Sequence, residues 1–371
     1  MKIMGFEIWS FEAPYLESMK KDLIASNHNE NSNNINHNDN DKNNNNNENF
    51  TYTAKYLNNE TLGQEFPLNE FELDWISEPL SKNNIHLAKG AFGITINSCS
   101  IINKEVLSQL KEYGVRHVST RSIGTNHIDL NFAKEIGIKI TNVLYSPHAV
   151  SDFAIMLMLD SLRYSKKASR SISSGDYSLD PLLGKNIANQ TIGLVGSGDI
   201  GAMVAKKLSS FGCKILVNNK SGNTDHLTNT PWGKNIEYAT LDTLLEKSDI
   251  ISLHCPLTDS TRNLINKSAF SKMKDGVILI NTARGSVIDQ AVLIENLKSG
   301  KVGFAALDVF ENEDDIIGNI IDLHDEQFSE ITWLAAQDNV IVTPHIAFLT
   351  REVQEETTVK SVLDLLKNAT V

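Results

Sequence analysis

An arginine, a carboxylate and a histidine each follow an apolar, strand-like run late in this chain. They lie in Asn281-Thr282-Ala283-Arg284-Gly285, in Ala306-Leu307-Asp308-Val309-Phe310-Glu311-Asn312-Glu313, and in Thr343-Pro344-His345. Beyond the carboxyl ends of parallel strands, such groups line the ligand crevice of an open α/β sheet. Together they suit reduction of the carbonyl group of a 2-keto acid. A guanidinium can fork onto the substrate carboxylate and polarise the neighbouring carbonyl, which is the role for Arg284. An imidazole can pass its proton to the forming alkoxide, which is the role for His345. Glu313 would orient that imidazole, although Glu311, Asp314 and Asp315 beside it carry the same chemistry and read as a solvated acidic face. Of the other histidines, His28 and His37 sit in an asparagine tract, and His86, His226 and His324 in polar loops. His127 and His148 have no acid at a fitting offset.

A second pattern, Gly196-Ser197-Gly198-Asp199-Ile200-Gly201, fits G-x-G-x-x-G between the apolar run Thr191–Val195 and a helical segment. That context suits a dinucleotide. Gly196 permits the tight turn, Gly198 lets the backbone approach a pyrophosphate, and Gly201 lets helix and strand pack closely. About 20 residues on, an acid would bind the ribose 2′-hydroxyl. This chain has Asn219-Lys220 there, which leans toward NADP(H) and leaves NAD(H) open.

The elements that must position these groups alternate. Before the glycine pattern, strands are predicted at Ile3–Trp9, Gly93–Asn97, His117–Thr120 and Ile138–Asn142, with helices at Lys104–Tyr113 and Leu130–Ile136. A long helical stretch with a break follows over Ser146–Ser173. After Gln190, strands are predicted at Thr191–Val195, Lys214–Asn218, Ile250–His254, Val277–Asn281, Gly303–Val309 and Val340–Thr343. Helices between them are predicted at Ile200–Phe211, Leu241–Lys247, Lys267–Met273 and Gln290–Ser299. Such alternation predicts parallel sheets covered on both faces.

The 371 residues suffice for two domains, and 34 basic against 46 acidic residues give a net charge of −12. That balance argues against nucleic-acid or anionic-membrane partners. The charge is local. Residues 27–49 carry four acids and one lysine, residues 302–350 carry ten acids and no Lys or Arg, and the remainder sums to +1. More than half of 27–49 is asparagine, a composition that cannot offset its ordering entropy and reads as a disordered surface insert. Cys99, Cys213 and Cys255 form no CxxC pair. The start shows no secretory pattern, and the longest apolar stretch, around Phe153–Leu159, is too short to span a bilayer. A reducing, cytoplasmic setting is expected. The His324-Asp325-Glu326 run matches no metal-ligand spacing, so no metal is expected.

Joined at these spacings, the glycine pattern, His254-Cys255-Pro256-Leu257-Thr258, Asn281–Gly285, Ala306–Val309 and Thr343–His345 resemble the D-isomer-specific 2-hydroxyacid dehydrogenase family. Ser119-Thr120-Arg121-Ser122-Ile123-Gly124, Tyr145-Ser146-Pro147 and the 32-residue separation of Glu313 from His345 are most similar to its D-lactate dehydrogenases, including the vancomycin-resistance branch. The resemblance implies two doubly wound α/β domains. A Rossmann domain (residues 145–345) would be inserted in a flavodoxin-like substrate domain (1–144 plus 346–371), with hinges near Tyr145 and Ala347 closing a cleft. It implies reversible reduction of pyruvate or a similar small 2-keto acid to the D-2-hydroxy acid by a homodimer, with Phe153–Leu162 as either an apolar contact or core. Larger 2-keto acids such as 2-ketoisocaproate are the alternative substrates, and a non-catalytic NAD(P)H-sensing interaction protein is the alternative class. It selects Glu313 as partner of His345 and keeps Arg284 on the substrate. The substrate carboxylate falls to backbone amides near Ile123 and Gly124, with Tyr145 and Phe348 flanking. Asp199 and Ile200 fall at the cofactor phosphates and Cys255, Pro256 and Thr261 around the adenosine. Thr282, Ala283 and Asp308 fall toward the nicotinamide. Asn312 stands where relatives often have glycine, and asparagine tolerates left-handed backbone.

Overall fold

Short β-branched runs punctuated by helices build two separate parallel sheets. The computed structural model describes residues 1–29, 72–313, 316–317 and 320–368. The chain divides into one unit of Met1–Ser146 with Thr350–Val371, and a second of Pro147–Leu349. In the first, β1 (Lys2–Gly5), β2 (Glu72–Trp75), β3 (Ala91–Ile96), β4 (His117–Thr120) and β5 (Lys139–Asn142) pair in the order β2-β1-β3-β4-β5, all parallel. That is the flavodoxin-like order, whose strand direction of travel reverses between β1 and β3.

One face of this sheet packs on the helix Lys104–Glu112 through Leu107 and Leu110. Asn103 caps that helix by accepting from the Val106 amide at 3.0 Å. The other face carries the helices Ala13–Asn29 and Arg351–Lys367, with Leu16, Met19, Val359, Val362, Leu365 and Leu366 buried together. Gly93 allows the close approach, since a Cβ there would lie 2.8 Å from Leu365. The predicted strand Ile3–Trp9 ends early, at Gly5, because Glu7 turns left-handed (φ 57°). Of the asparagine-rich insert, residues 27–29 end a helix and the rest lies outside the described residues.

The second sheet contains β6 (Thr191–Val195), β7 (Lys214–Asn218), β8 (Ile236–Tyr238), β9 (Ile250–Leu253), β10 (Val277–Asn281), β11 (Val302–Leu307) and β12 (Val340–Val342). Their order, β12-β11-β10-β9-β6-β7-β8, is the doubly wound Rossmann pattern, reversing between β6 and β9. Successive side chains serve opposite faces. Ile278, Ile280, Phe304 and Ala306 enter one apolar cluster, and Val277, Leu279, Ala305 and Leu307 the other. The long helical stretch breaks at left-handed Tyr164 into His148–Arg163 and Ser165–Ser173. Within Phe153–Leu162, the residues Ala154, Ile155, Leu157, Met158 and Leu162 are buried in the sheet-facing cluster, so this stretch is mainly core. Met156 within it is exposed, and further apolar exposure lies beyond it, at Ile172, Tyr177, Leu179 and Leu183.

The first unit encloses a buried ion pair. Arg121 donates from Nε to Glu12 Oε1 at 2.9 Å and from Nη1 to Thr95 at 3.0 Å, and from Nη2 to the Phe6 and Glu7 carbonyls. Glu12 also accepts from the Trp9 amide and the Thr358 hydroxyl. Removing one partner strands a buried charge. Arg121→Met should therefore cost about 3–5 kcal/mol in urea unfolding. A loss below about 1 kcal/mol, the value of an exposed pair, would contradict this.

Candidate active site

The glycine pattern sits where the second sheet reverses. Gly196 follows β6 with φ 106°, and a Cβ there would lie 2.5 Å from the carbonyl oxygen of His254, the residue after β9. At Gly201 a Cβ would lie 2.2 Å from Gly196 O. Gly198 caps the helix Asp199–Ser209 and has open space where its Cβ would be. Backbone can thus meet a phosphate at a helix N-terminus, where partial positive charge favours it. Asp199 is exposed and Ile200 half-buried on the first turn.

Two polar atoms just after β9 and β10 are buried without a partner among the described residues, Nδ1 of His254 and Oγ1 of Thr282. Such atoms are few in folded chains and mark places where a ligand completes the bonding. The cradle, the helix N-terminus and these two atoms fit a dinucleotide. His254 binds Ser252 Oγ through Nε2 at 2.9 Å, and burial lowers its pKa to about 4. Cys255 is half-buried, and burial pushes its thiol up, so it packs rather than reacts. Thr261 donates to Pro256 O at 2.6 Å and accepts from the Thr258 amide at 2.8 Å, fixing that loop. Asn219 donates to Ser197 Oγ and Asn223 O, both at 2.7 Å, while Lys220 is exposed.

The catalytic candidates follow β10, β11 and β12, three neighbouring parallel strands. After β10, buried Asn281 accepts from the Ala283 amide at 3.0 Å and donates to Arg284 O at 2.9 Å. This side chain shapes the turn that presents Arg284. The Arg284 guanidinium donates to Ala283 O at 2.6 Å. After β12, His345 adopts φ 55°, a left-handed conformation that costs about 1–2 kcal/mol. Fully buried Asp308, directly after β11, holds that turn. Its carboxylate accepts from Thr343 Oγ1 (2.6 Å), Ile346 N (2.9 Å) and Ala347 N (2.8 Å), and its carbonyl accepts from His345 N. Burial pushes the Asp308 carboxyl above the usual range, against the three hydrogen bonds that favour its charge.

Glu313 accepts from His345 Nδ1 at 2.9 Å, and its other oxygen accepts from the Phe310 amide at 3.2 Å. Glu313 is mostly buried and His345 about one-third exposed. Asn312 beside it takes φ 59°, left-handed as its position requires. The Phe348 ring stands edge-on to His345 at 6.0 Å. A carboxylate on Nδ1 fixes the tautomer and leaves Nε2 as the proton-transfer atom. Glu311 belongs elsewhere. Burial and the charges of Asp289 and Glu330 push its pKa up, and its amide binds Gln290.

In the first unit, Ile123, Gly124 and Tyr145 are half-buried beyond β4 and β5.

Residues 155–347 match the family described as D-isomer specific 2-hydroxyacid dehydrogenase, NAD binding domain. A D-specific alpha-keto acid dehydrogenase of Enterococcus faecalis is 38% identical over 291 residues, covering 78% of this chain and 87% of that one. The chain belongs to the D-isomer-specific 2-hydroxyacid dehydrogenase family. An aromatic 2-oxoacid reductase of Clostridium sporogenes is 39% identical over 287 residues, 76% of this chain and 83% of its own. The solved D-lactate dehydrogenase with NAD+ from Lactobacillus jensenii superposes with TM-score 0.72 at 30% identity, covering 100% of this chain and 97% of that one. As a member of the family, the chain is a nicotinamide-dependent D-2-hydroxyacid dehydrogenase. The NAD-binding family and the NAD+-bound relative lend nothing to the NADP(H) lean drawn from Asn219 and Lys220. Among the described residues, no group of three or more His, Cys, Asp or Glu side chains could hold a metal ion, and no helix is long and apolar enough to cross a membrane.

Sequence reasoning missed the site's supports, namely Asn281, Thr343 and the His254 ring. His254 stood in the His-Cys-Pro motif, but its backbone role against Gly196 depends on strands adjacent only in space.

Asp308→Asn would turn an amide donor toward the Ile346 or Ala347 amide and loosen the His345 turn. Turnover should fall about 100-fold with cofactor binding kept, because small misplacements of a reacting group are costly. Unchanged turnover would contradict the support. Burial lowers the pKa of His127, like that of His254, to about 4 from 6.5. Below pH 6.5 the unfolded chain binds more protons than the folded one, so their stability contribution is full above pH 6.5 and lost as pH falls toward 4. The thermal midpoint should drop between pH 7 and 5, and less so in His254→Asn. Equal drops would contradict the assignment.

Proposed function

We propose that the chain interconverts pyruvate, or a similarly small 2-keto acid, and the corresponding D-2-hydroxy acid. The observation that carries the reading is the Glu313–His345 hydrogen bond on Nδ1, which reserves Nε2 for the substrate oxygen. The nicotinamide, when bound, supplies the hydride to C2 and takes it back in reverse. Arg284 binds the carboxylate and polarises the carbonyl. Protonated His345 gives its Nε2 proton to the alkoxide as C2 accepts the hydride, and Glu313 stabilises the imidazolium that precedes this transfer. The family resemblance also assigns the substrate carboxylate to backbone amides near Ile123 and Gly124, and substrate contacts to Tyr145 and Phe348. The aromatic 2-oxoacid reductase among the relatives favours larger 2-keto acids as the second reading. The intact Arg-Glu-His set speaks against a purely cofactor-sensing role.

A homodimer is part of this reading. Tyr177, Leu179 and Leu183 are 73%, 80% and 83% exposed within seven residues, an apolar patch suited to a second copy. The thiols of Cys213 and Cys255 suit a reducing cytoplasm.

Oxidation of NADH and of NADPH, followed separately with pyruvate, 2-ketoisocaproate and phenylpyruvate, tests the reaction. Turnover with a keto acid is expected, and none with any pair would remove the enzyme reading. His345→Gln should lower turnover by about 10³-fold, within the range for removing a general acid, and leave cofactor affinity unchanged. Asn219→Asp adds a carboxylate that repels a 2′-phosphate and should raise the NADH/NADPH preference at least about tenfold. An unchanged ratio would place cofactor choice elsewhere. Sedimentation should give twice the chain mass, reduced to one in Leu179→Asp/Leu183→Asp. A monomeric wild-type chain would remove the dimer.

A further inference from the structure

The loop after β4 is held in a way that gives its amides a direction. From Ser122 to Asn126, five consecutive backbone N–H groups have no hydrogen-bond partner among the described residues. The carbonyl sides of the same loop are taken. Asn142, the last residue of β5, donates Nδ2–H to Ile123 O at 2.8 Å, and Ser122 donates its hydroxyl to Gly124 O at 2.7 Å. In a planar trans peptide the N–H points opposite to the C=O. Binding Ile123 O therefore aims the Gly124 N–H away from Asn142, and binding Gly124 O aims the Thr125 N–H away from Ser122. Successive N–H groups left without partners in a turn can form an anion-binding concavity.

The Ser122 proton is itself committed by a longer chain. Ser122 Oγ lies 2.8 Å from Thr120 Oγ1, and Thr120 Oγ1 lies 3.2 Å from His127 Nε2. With the Ser122 proton on Gly124 O, Thr120 must donate to Ser122. Thr120 then accepts from His127, so the neutral imidazole carries its proton on Nε2. The protons run in one direction, from His127 to Thr120 to Ser122 to Gly124 O, and each bond polarises the next. Thr120 is fully buried and His127 and Ser122 are half-buried, which limits competition from water at the middle of the chain. On the other side of the loop, Arg121 is locked into the Glu12 pair, so the segment is anchored at its base as well.

We propose that His127, Thr120, Ser122 and Asn142 are positioning residues that preset the Gly124 and Thr125 amides to receive the carboxylate of the 2-keto acid. This rests on the functional reading above, in which that loop takes the carboxylate. It extends that reading to the groups that impose the loop's direction, and it adds the Thr125 amide to the donors. None of the four side chains need touch substrate. Their effect is on carboxylate affinity, not on hydride or proton transfer.

The test compares pyruvate with its neutral methyl ester in wild type, Ser122→Ala, Ser122→Thr, Thr120→Val and Asn142→Ala, with circular dichroism melts to confirm folding. Ser122→Ala and Asn142→Ala should each raise KM for pyruvate about five- to twentyfold, the effect of losing one hydrogen bond that organises an anion site. Their kcat, NADH affinity and KM for the ester should stay within about twofold, an allowance below one ordinary hydrogen bond. Thr120→Val should behave like Ser122→Ala, and Ser122→Thr, which keeps a hydroxyl, should restore the pyruvate KM. An unchanged pyruvate KM in folded Ser122→Ala and Asn142→Ala, or an equal rise for acid and ester, would overturn the proposal. Absence of keto-acid turnover in the wild-type chain would instead remove the functional reading itself, so the two failures are told apart.

Discussion

The buried Asp308 carboxylate and the turn it closes are the constraint around which the second unit's chemistry is arranged. Left-handed backbone at His345 is unfavourable for a side chain with a Cβ and persists only where surrounding bonds over-determine it. Asp308 supplies that over-determination through Thr343, Ile346 and Ala347, and its own carbonyl takes the His345 amide. Once the turn is set, Glu313 reaches Nδ1 and the opposite edge of the ring is left for chemistry. The order of β10, β11 and β12 puts Arg284, Asp308 and His345 after the same ends of three neighbouring strands, so strand pairing carries part of the geometry.

Both sheets use the same physical device at different scales. Where strand order reverses, loops diverge and leave room beyond the carboxyl ends, and main-chain N–H groups can face a ligand there. In the second sheet this place holds Gly196 against the His254 carbonyl, with a helix N-terminus behind it. In the first sheet, whose order reverses between β1 and β3, the amides are offered one strand away, by the loop beyond β4, while its carbonyls are held by side chains. A chain with net charge −12 can recruit anions this way, since both placements use fixed dipoles and need few cations.

Much of this was legible in the sequence because the signals were local. The strands Thr191–Val195, Lys214–Asn218, Val277–Asn281 and His117–Thr120 were read to the residue, since apolar β-branched runs between turn residues leave few alternatives. A break within Ser146–Ser173, though not its place at Tyr164, and the left-handed Asn312 were also legible. The helix Arg351–Lys367 was not. Gln354, Glu355, Thr357, Thr358 and Ser361 are buried along with its leucines and valines, so its polar residues do not mark a solvent face and the amphipathic period blurs. The strands β2 and β8 were missed for the opposite reason, being short edge strands with exposed or charged residues. The supports of Arg284 and His345 were out of reach because they depend on turns brought together across strands. Asp308 was read only toward the nicotinamide, and the bonds of its side chain to the His345 turn were not foreseen.

The central claim is that Glu313 holds the proton on Nδ1 of His345 and leaves Nε2 as the atom that exchanges a proton with substrate. Nitrogen-15 NMR of the histidine side chains, with His345 assigned by its loss in His345→Gln, tests this directly. His345 is expected to keep its proton on Nδ1 throughout, with Nε2 the nitrogen that gains and loses one, and Glu313→Gln is expected to disturb this preference. A His345 ring that carries its neutral-state proton on Nε2, or one whose tautomer is indifferent to Glu313→Gln, would contradict it.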